Sequence, residues 1–215
     1  MSQLGAIPAA ATLGFLYLSD SFSEELDAIL DFFKSATGVS HWVGTVGVGV
    51  CATGVEYLEV PAMAVMLGEF SPADFQILPL QRTVQDIAAQ PLDGAYFAMV
   101  HGDPRNAQMQ DLIEALSARM SSGFVVGGLT SSRGEMPQIA DTQISGGLSG
   151  VGDVRERIGR KLSFGHGVVL ELEVRRELHE LGPVGTRART HRVAEFSSSI
   201  HLPSKRTTPR SSPPG

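Results

Sequence analysis

The chain has 215 residues, 42% of them apolar, enough for a packed core in one large domain or two small ones. Its single cysteine, Cys51, excludes an intrachain disulfide framework and a Cys-rich zinc site, and suits a reducing compartment. Residues 1–150 hold 5 Lys and Arg against 16 Asp and Glu, residues 151–215 hold 12 against 7, and the acidic first part argues against nucleic-acid binding there.

Residues 1–10 read as a disordered lead-in. The first 19 residues carry no charge, but they lack a basic start and contain Pro8, which argues against a signal peptide. Residues 35–55 are also uncharged, yet about half are Gly, Ser, Thr or His, a poor composition for lipid. A soluble, cytoplasmic protein without membrane contact is expected.

Residues 12–18 read as a buried strand. Ser21 and Glu24 have the spacing of a capping box, and Phe22, Leu26, Ile29, Leu30 and Phe33 follow at helical spacing until Gly38 stops the helix. A second strand is expected from about Trp42 to Val50. Ala62–Gly68 and Phe75–Leu80 read as further strands, and with no helix between them they are expected to be antiparallel neighbours. Residues 82–90 read as a short helix and 95–101 as a strand. Asp103 is expected to cap a helix with Pro104 at its first position. Met109, Leu112, Ile113, Leu116 and Met120 give that helix an apolar face. Strand 124–129 follows, then a polar loop over 130–141 and a Gly-rich strand from Thr142 to Gly150, whose edge is expected to be free for self-association. Residues 168–181 fit either a helix or a strand, and residues 197–215 have a disordered composition.

A constant offset of 83 residues lays Gly44 on Gly127, Asp20 on Asp103, Leu26 on Met109 and Phe15–Tyr17 on Ala98–Val100. The expected fold class is therefore α/β, with two strand–helix–strand repeats in a mixed sheet and a disordered carboxy-terminal tail. Each repeat ends in a Gly-rich tip.

The run Gly47-Val48-Gly49-Val50-Cys51-Ala52 has the G-x-G-x-x-A form of a dinucleotide fingerprint, but no helical period follows to receive a pyrophosphate. No P-loop lysine or nucleophile-elbow serine is present either. The glycines have two readings. They allow close backbone packing, or they line a small polar cavity with backbone amides and hydroxyls. On the second reading the candidate ligand-binding residues are Gly44, Thr45, Gly47, Gly49, Cys51, Gly127, Gly128, Thr130 and Ser131. No pair of histidines has metal-ligand spacing. His101 and His41 each end or begin a strand, and no acid–base or nucleophile constellation points to an enzyme.

Several blocks taken together resemble the FIST domain, a bacterial sensory domain of signal-transduction proteins. They are Trp42–Val50, Gly54–Tyr57, Pro61–Val65, the Asp103-Pro104 helix start, Val126–Ser131 and Ile144–Val151. The resemblance covers residues 12–151. It implies a ligand-sensing role, with amino acids as the proposed ligands and a signalling partner such as a kinase or cyclase. Some members are haem-containing nitric-oxide sensors, and on that alternative His101 or His41 would be the axial ligand. Residues 11–151 are expected to be a partial amino-terminal FIST domain. The basic stretch 152–215 departs from the family and reads as truncated or out of frame, so a non-functional fragment is the remaining alternative.

Overall fold

The computed structural model describes residues 7–52, 55–92, 95–121 and 123–153, with the backbone of 168–173 and 187–192. Gly54, Gly94, residues 1–6 and the tail 197–215 expected to be disordered lie outside these.

In chain order the elements are β1 (Leu13–Ser19), α1 (Leu26–Thr37), β2 (His41–Gly47), β3 (Gly49–Ala52), β4 (Val55–Leu58), β5 (Ala62–Gly68), β6 (Phe75–Gln81), α2 (Val84–Ala88), β7 (Phe97–Gly102), α3 (Met109–Arg119), β8 (Phe124–Leu129), β9 (Gln138–Ala140), β10 (Thr142–Ile144), β11 (Leu148–Asp153), β12 (Val168–Glu173) and β13 (Arg187–Arg192). They form a larger sheet of order β10-β9-β2-β1-β5-β12-β13, a smaller sheet of order β6-β11-β7-β8, and the hairpin β3-β4. The class is the expected α/β.

The apolar pattern dictates four layers. Leu16 and Leu18 on β1 pack with Leu26, Leu30 and Phe33 of α1 and with Trp42 and Val46 of β2. The opposite face of the larger sheet, with Leu13, Phe15 and Val43, packs on Val151, Phe75, Ile77 and Met99 of the smaller sheet. The outer face of that second sheet, with Ala98 and Val100, is covered by Ile87 of α2 and by Met109, Leu112 and Leu116 of α3. The order is helix, sheet, sheet, helices.

Two strand pairs are parallel, β1 with β2 and β7 with β8. In the first, Leu16 is level with Gly44; in the second, Val100 is level with Gly127. Both glycines have positive φ, 156° and 140°. At both, a Cβ would stand 1.8 Å from the carbonyl oxygen of the level residue. The constant offset of 83 therefore fails in the first strands. There Leu16 corresponds to Val100, not to Met99, and Tyr17 corresponds to His101.

Other expectations are corrected. The Ser21–Glu24 capping box does not form: Ser21 Oγ bonds Ser19 Oγ at 2.9 Å, Asp20–Phe22 make a 3₁₀ turn, and α1 begins at Leu26. Asp103 does not cap α3. Its carboxylate is taken by the Arg105 backbone amide at 2.9 Å and by the Arg105 guanidinium at 2.8–3.2 Å, and the helix begins six residues later at Met109. The expected strand 42–50 breaks at Val48, and a β-hairpin rather than a helix follows, which removes the dinucleotide reading. The polar loop contains β9. The Gly-rich strand splits into β10 and β11, which lie in different sheets. β11 is paired on both sides, so the free edge of the smaller sheet after β7 is β8. β5 and β6 are not neighbours: the chain crosses from one sheet to the other between Phe70 and Phe75, whose rings meet at 6.3 Å. Val168–Glu173 is a strand, antiparallel to β5.

Replacing Gly44 or Gly127 by Ala is expected to cost about 2–4 kcal/mol, because the methyl group meets backbone and the φ is strained. Urea unfolding measures this. Gly134→Ala, where a Cβ meets nothing within 4 Å, should stay within about 0.5 kcal/mol of the parent. Parent-like stability in Gly44→Ala would refute the strand geometry.

Candidate functional site

Side chains alternate along a strand, so the residues next to Leu16, Gly44, Val100 and Gly127 face the space between the sheets. On β1 and β2 these are Tyr17 and Thr45, level with each other; on β7 and β8 they are His101 and Gly128. Tyr17 and His101 meet across that space. The hydroxyl lies 3.1 Å from His101 Nε2, and the rings are edge-on with centroids 5.5 Å apart. Beside them is a cavity of about 240 Å³ lined by Tyr17, Thr45, Met99, His101, Val126, Gly127, Gly128 and Leu129.

Burial sets the charge of the pair. His101 is 3% exposed. Loss of water pulls its imidazole down to about 4 and pushes the Tyr17 phenol up to about 12. Both are neutral at pH 7. Two proton arrangements satisfy the geometry. Tyr17 donates to Nε2 and the imidazole proton sits on Nδ1, or Nε2–H donates to the phenol oxygen and the phenol turns to Met99 Sδ at 3.7 Å. Among the described residues, His101 Nδ1 is buried without a partner, as is Oγ of Ser149, the residue paired with His101 on β11.

The two tips are joined by hydroxyls. Thr45 Oγ1 lies 2.7 Å from Thr130 Oγ1 and donates to the Pro137 carbonyl at 3.1 Å. Since Thr45 has one proton, Thr130 donates to Thr45, and Thr130 in turn accepts from Gln138 Nε2 at 3.3 Å.

Of the residues predicted from sequence, Thr45, Gly127 and Gly128 line the cavity, and Thr130 backs it through Thr45. A Cβ at Gly128 would meet nothing within 4 Å, so that position leaves the cavity open. Gly44 faces α1 and serves the backbone. Gly47 is half-buried and near the Ser131 carbonyl, while the Ser131 side chain is exposed. Gly49 and Cys51 lie on the β3–β4 hairpin, with Cys51 exposed. His41 pairs through Nδ1 with Asp141 Oδ2 at 3.0 Å and lines no part of the cavity. Sequence reasoning missed Tyr17, Met99, Gln138 and Ser149. The signal for Tyr17 was present: it is the counterpart of His101 once the first strands are shifted by one.

The family model for the FIST N domain matches residues 12–195. The chain belongs to this family. No curated protein and no solved structure matches it. The FIST N domain is a sensory domain of signal transduction. The match runs past Val151 and takes in β12, which extends the larger sheet at β5. Among the described residues of this FIST N domain, no helix is long and apolar enough to cross a membrane.

Haem does not fit His101, whose Nε2 is engaged by Tyr17 and whose cavity measures about 240 Å³ against about 300–1,000 Å³ for ligand pockets. His41 has Nδ1 bonded to Asp141, which leaves Nε2 for a ligand, but it lines no part of that cavity.

His101 makes the stability of this FIST N domain pH-dependent. Its folded value, about 4, lies below the ordinary 6.5, so the unfolded chain binds the extra proton first. The stabilisation is complete above pH 6.5 and is lost as pH falls toward 4, on the order of 3 kcal/mol in all. Asp86 and Asp103, whose carboxyls are held below 3.8 chiefly by backbone and Arg105 hydrogen bonds respectively, act below that window. Urea unfolding from pH 7 to 4.5 is expected to show the loss in the parent and a flatter profile in His101→Gln; equal slopes would contradict a neutral buried imidazole. For the hydroxyl chain, a double-mutant cycle with Thr45→Val and Thr130→Val is expected to give a coupling of about 0.5–1.5 kcal/mol.

Proposed function

We propose that this chain is the ligand-binding input of a signalling assembly and that it takes one small molecule into the cavity between its sheets. The observation that carries this is the Tyr17–His101 pair, which sets a buried histidine and a half-buried tyrosine at the wall of a cavity in a sensory-domain fold. Every described lining residue falls within residues 11–151, and we place the ligand-binding unit there. Free amino acids are the ligand class that the family resemblance brings, and a kinase or cyclase is the kind of partner that would read the bound state. The reading is of a binder without catalysis. The Tyr17 hydroxyl and His101 bond each other rather than a third group that would make either a nucleophile or a base.

Thermal melting of the full chain tests this, with a panel of free amino acids and of neutral molecules of similar size. A ligand of the native state stabilises it by about 2.7 kcal/mol at a hundredfold excess over Kd, a rise of a few degrees for a chain of this length. The rise is expected to vanish in Gly128→Val, which fills the open side of the cavity without touching backbone. A panel in which no member raises the transition would overturn the reading.

A further inference from the structure

We propose that the ligand of the inter-sheet cavity is an uncharged, mainly apolar molecule of one or two rings, oriented by a single hydrogen bond at the Tyr17 hydroxyl. This rests on the reading of the cavity as the sensory site. Among the described residues, no Lys, Arg, Asp or Glu lines the cavity, and the ionisable base there, His101, is kept neutral by burial. A carboxylate or ammonium placed against Tyr17 and His101 would meet no opposite charge among these residues.

The hydrogen-bonding capacity left to a ligand is narrow. Thr45 already gives its proton to the Pro137 carbonyl and faces Thr130 at 2.7 Å. Tyr17 remains, and its exchange with His101 lets it serve either polarity. A carbonyl on the ligand takes the phenol proton while Nε2–H of His101 donates to the phenol oxygen. A ligand hydroxyl donates to that oxygen while the phenol proton goes to Nε2. The rest of the wall is Met99, Val126 and Leu129, which is apolar and, at Met99, adaptable. Size is compatible with a ligand of one or two rings: the pocket measures about 240 Å³ and opens to solvent past Gly128 and the half-exposed Leu129.

Three probes of one shape separate charge from size: benzamide, benzoate and benzylamine, titrated into the full chain at pH 7.5 by calorimetry and thermal shift. Benzamide is expected to bind at least tenfold more tightly than either ion. Its binding should be lost in Gly128→Leu and weakened about tenfold in Tyr17→Phe. Benzoate or benzylammonium binding as tightly as benzamide overturns the proposal, as does benzamide binding unchanged in Gly128→Leu. If a free amino acid binds in a Gly128-dependent way while benzamide does not, the uncharged class falls and the sensory site stands. If neither panel binds, both fall together.

Discussion

A carbonyl oxygen stands where residue 44 would carry a side chain, and another stands where residue 127 would. These two contacts hold the strand register in both parallel pairs. A slip of one residue would turn every side chain of the strand to the other face. Leu16 and Leu18 would leave α1 for the second sheet, and Tyr17 would turn from the inter-sheet space to the helix. With the register pinned at Leu16–Gly44 and Val100–Gly127, the neighbouring rows carry Tyr17 beside Thr45 and His101 beside Gly128. The glycines therefore act on the site without lining it with side chains. Of the two readings of the Gly-rich tips, close packing holds at Gly44, while Gly128 leaves space beside a cavity whose wall is mainly apolar rather than polar.

Much of this was legible in the sequence, and the rest failed for identifiable reasons. The apolar periods of Leu26–Phe33 and Met109–Leu116 describe α1 and α3 because each helix has one face to bury. Helix starts were misplaced because a cap depends on where a short polar side chain turns. Ser21 bonds Ser19, and Asp103 accepts from the Arg105 amide and guanidinium in a tight turn after which the chain enters no helix until Met109. Sheet membership was not legible. β5 and β6 both read as strands, but their pairing puts them in different sheets, with the Phe70 and Phe75 rings in contact where the chain crosses. An ungapped offset of 83 lays Leu26 on Met109 and Gly44 on Gly127 but lays Leu16 on Met99, whereas the residues level with Gly44 and Gly127 are Leu16 and Val100. That shift of one exchanges the buried helix face for the site face.

The inter-sheet layer is unusual in carrying polar atoms that the fold itself leaves unpaired. Most buried polar side-chain atoms in proteins find a partner, and one that does not costs about 1–3 kcal/mol. His101 Nδ1 and Ser149 Oγ are two such atoms on paired residues. Apolar residues at both positions would relieve the cost, since β7 and β11 are otherwise lined inward by Met99, Val151 and their neighbours. The layer instead keeps groups that are neutral and can exchange roles. A neutral histidine bonded to a neutral tyrosine has two proton arrangements of the same net charge. The choice between them follows whichever hydrogen-bonding group meets the phenol. A protein group of fixed charge at that place would favour one arrangement and attract ions of opposite sign. On the proposed reading, neutrality suits the pair to a molecule that carries no charge, while the hydroxyl chain from Gln138 through Thr130 holds Thr45 beside Tyr17.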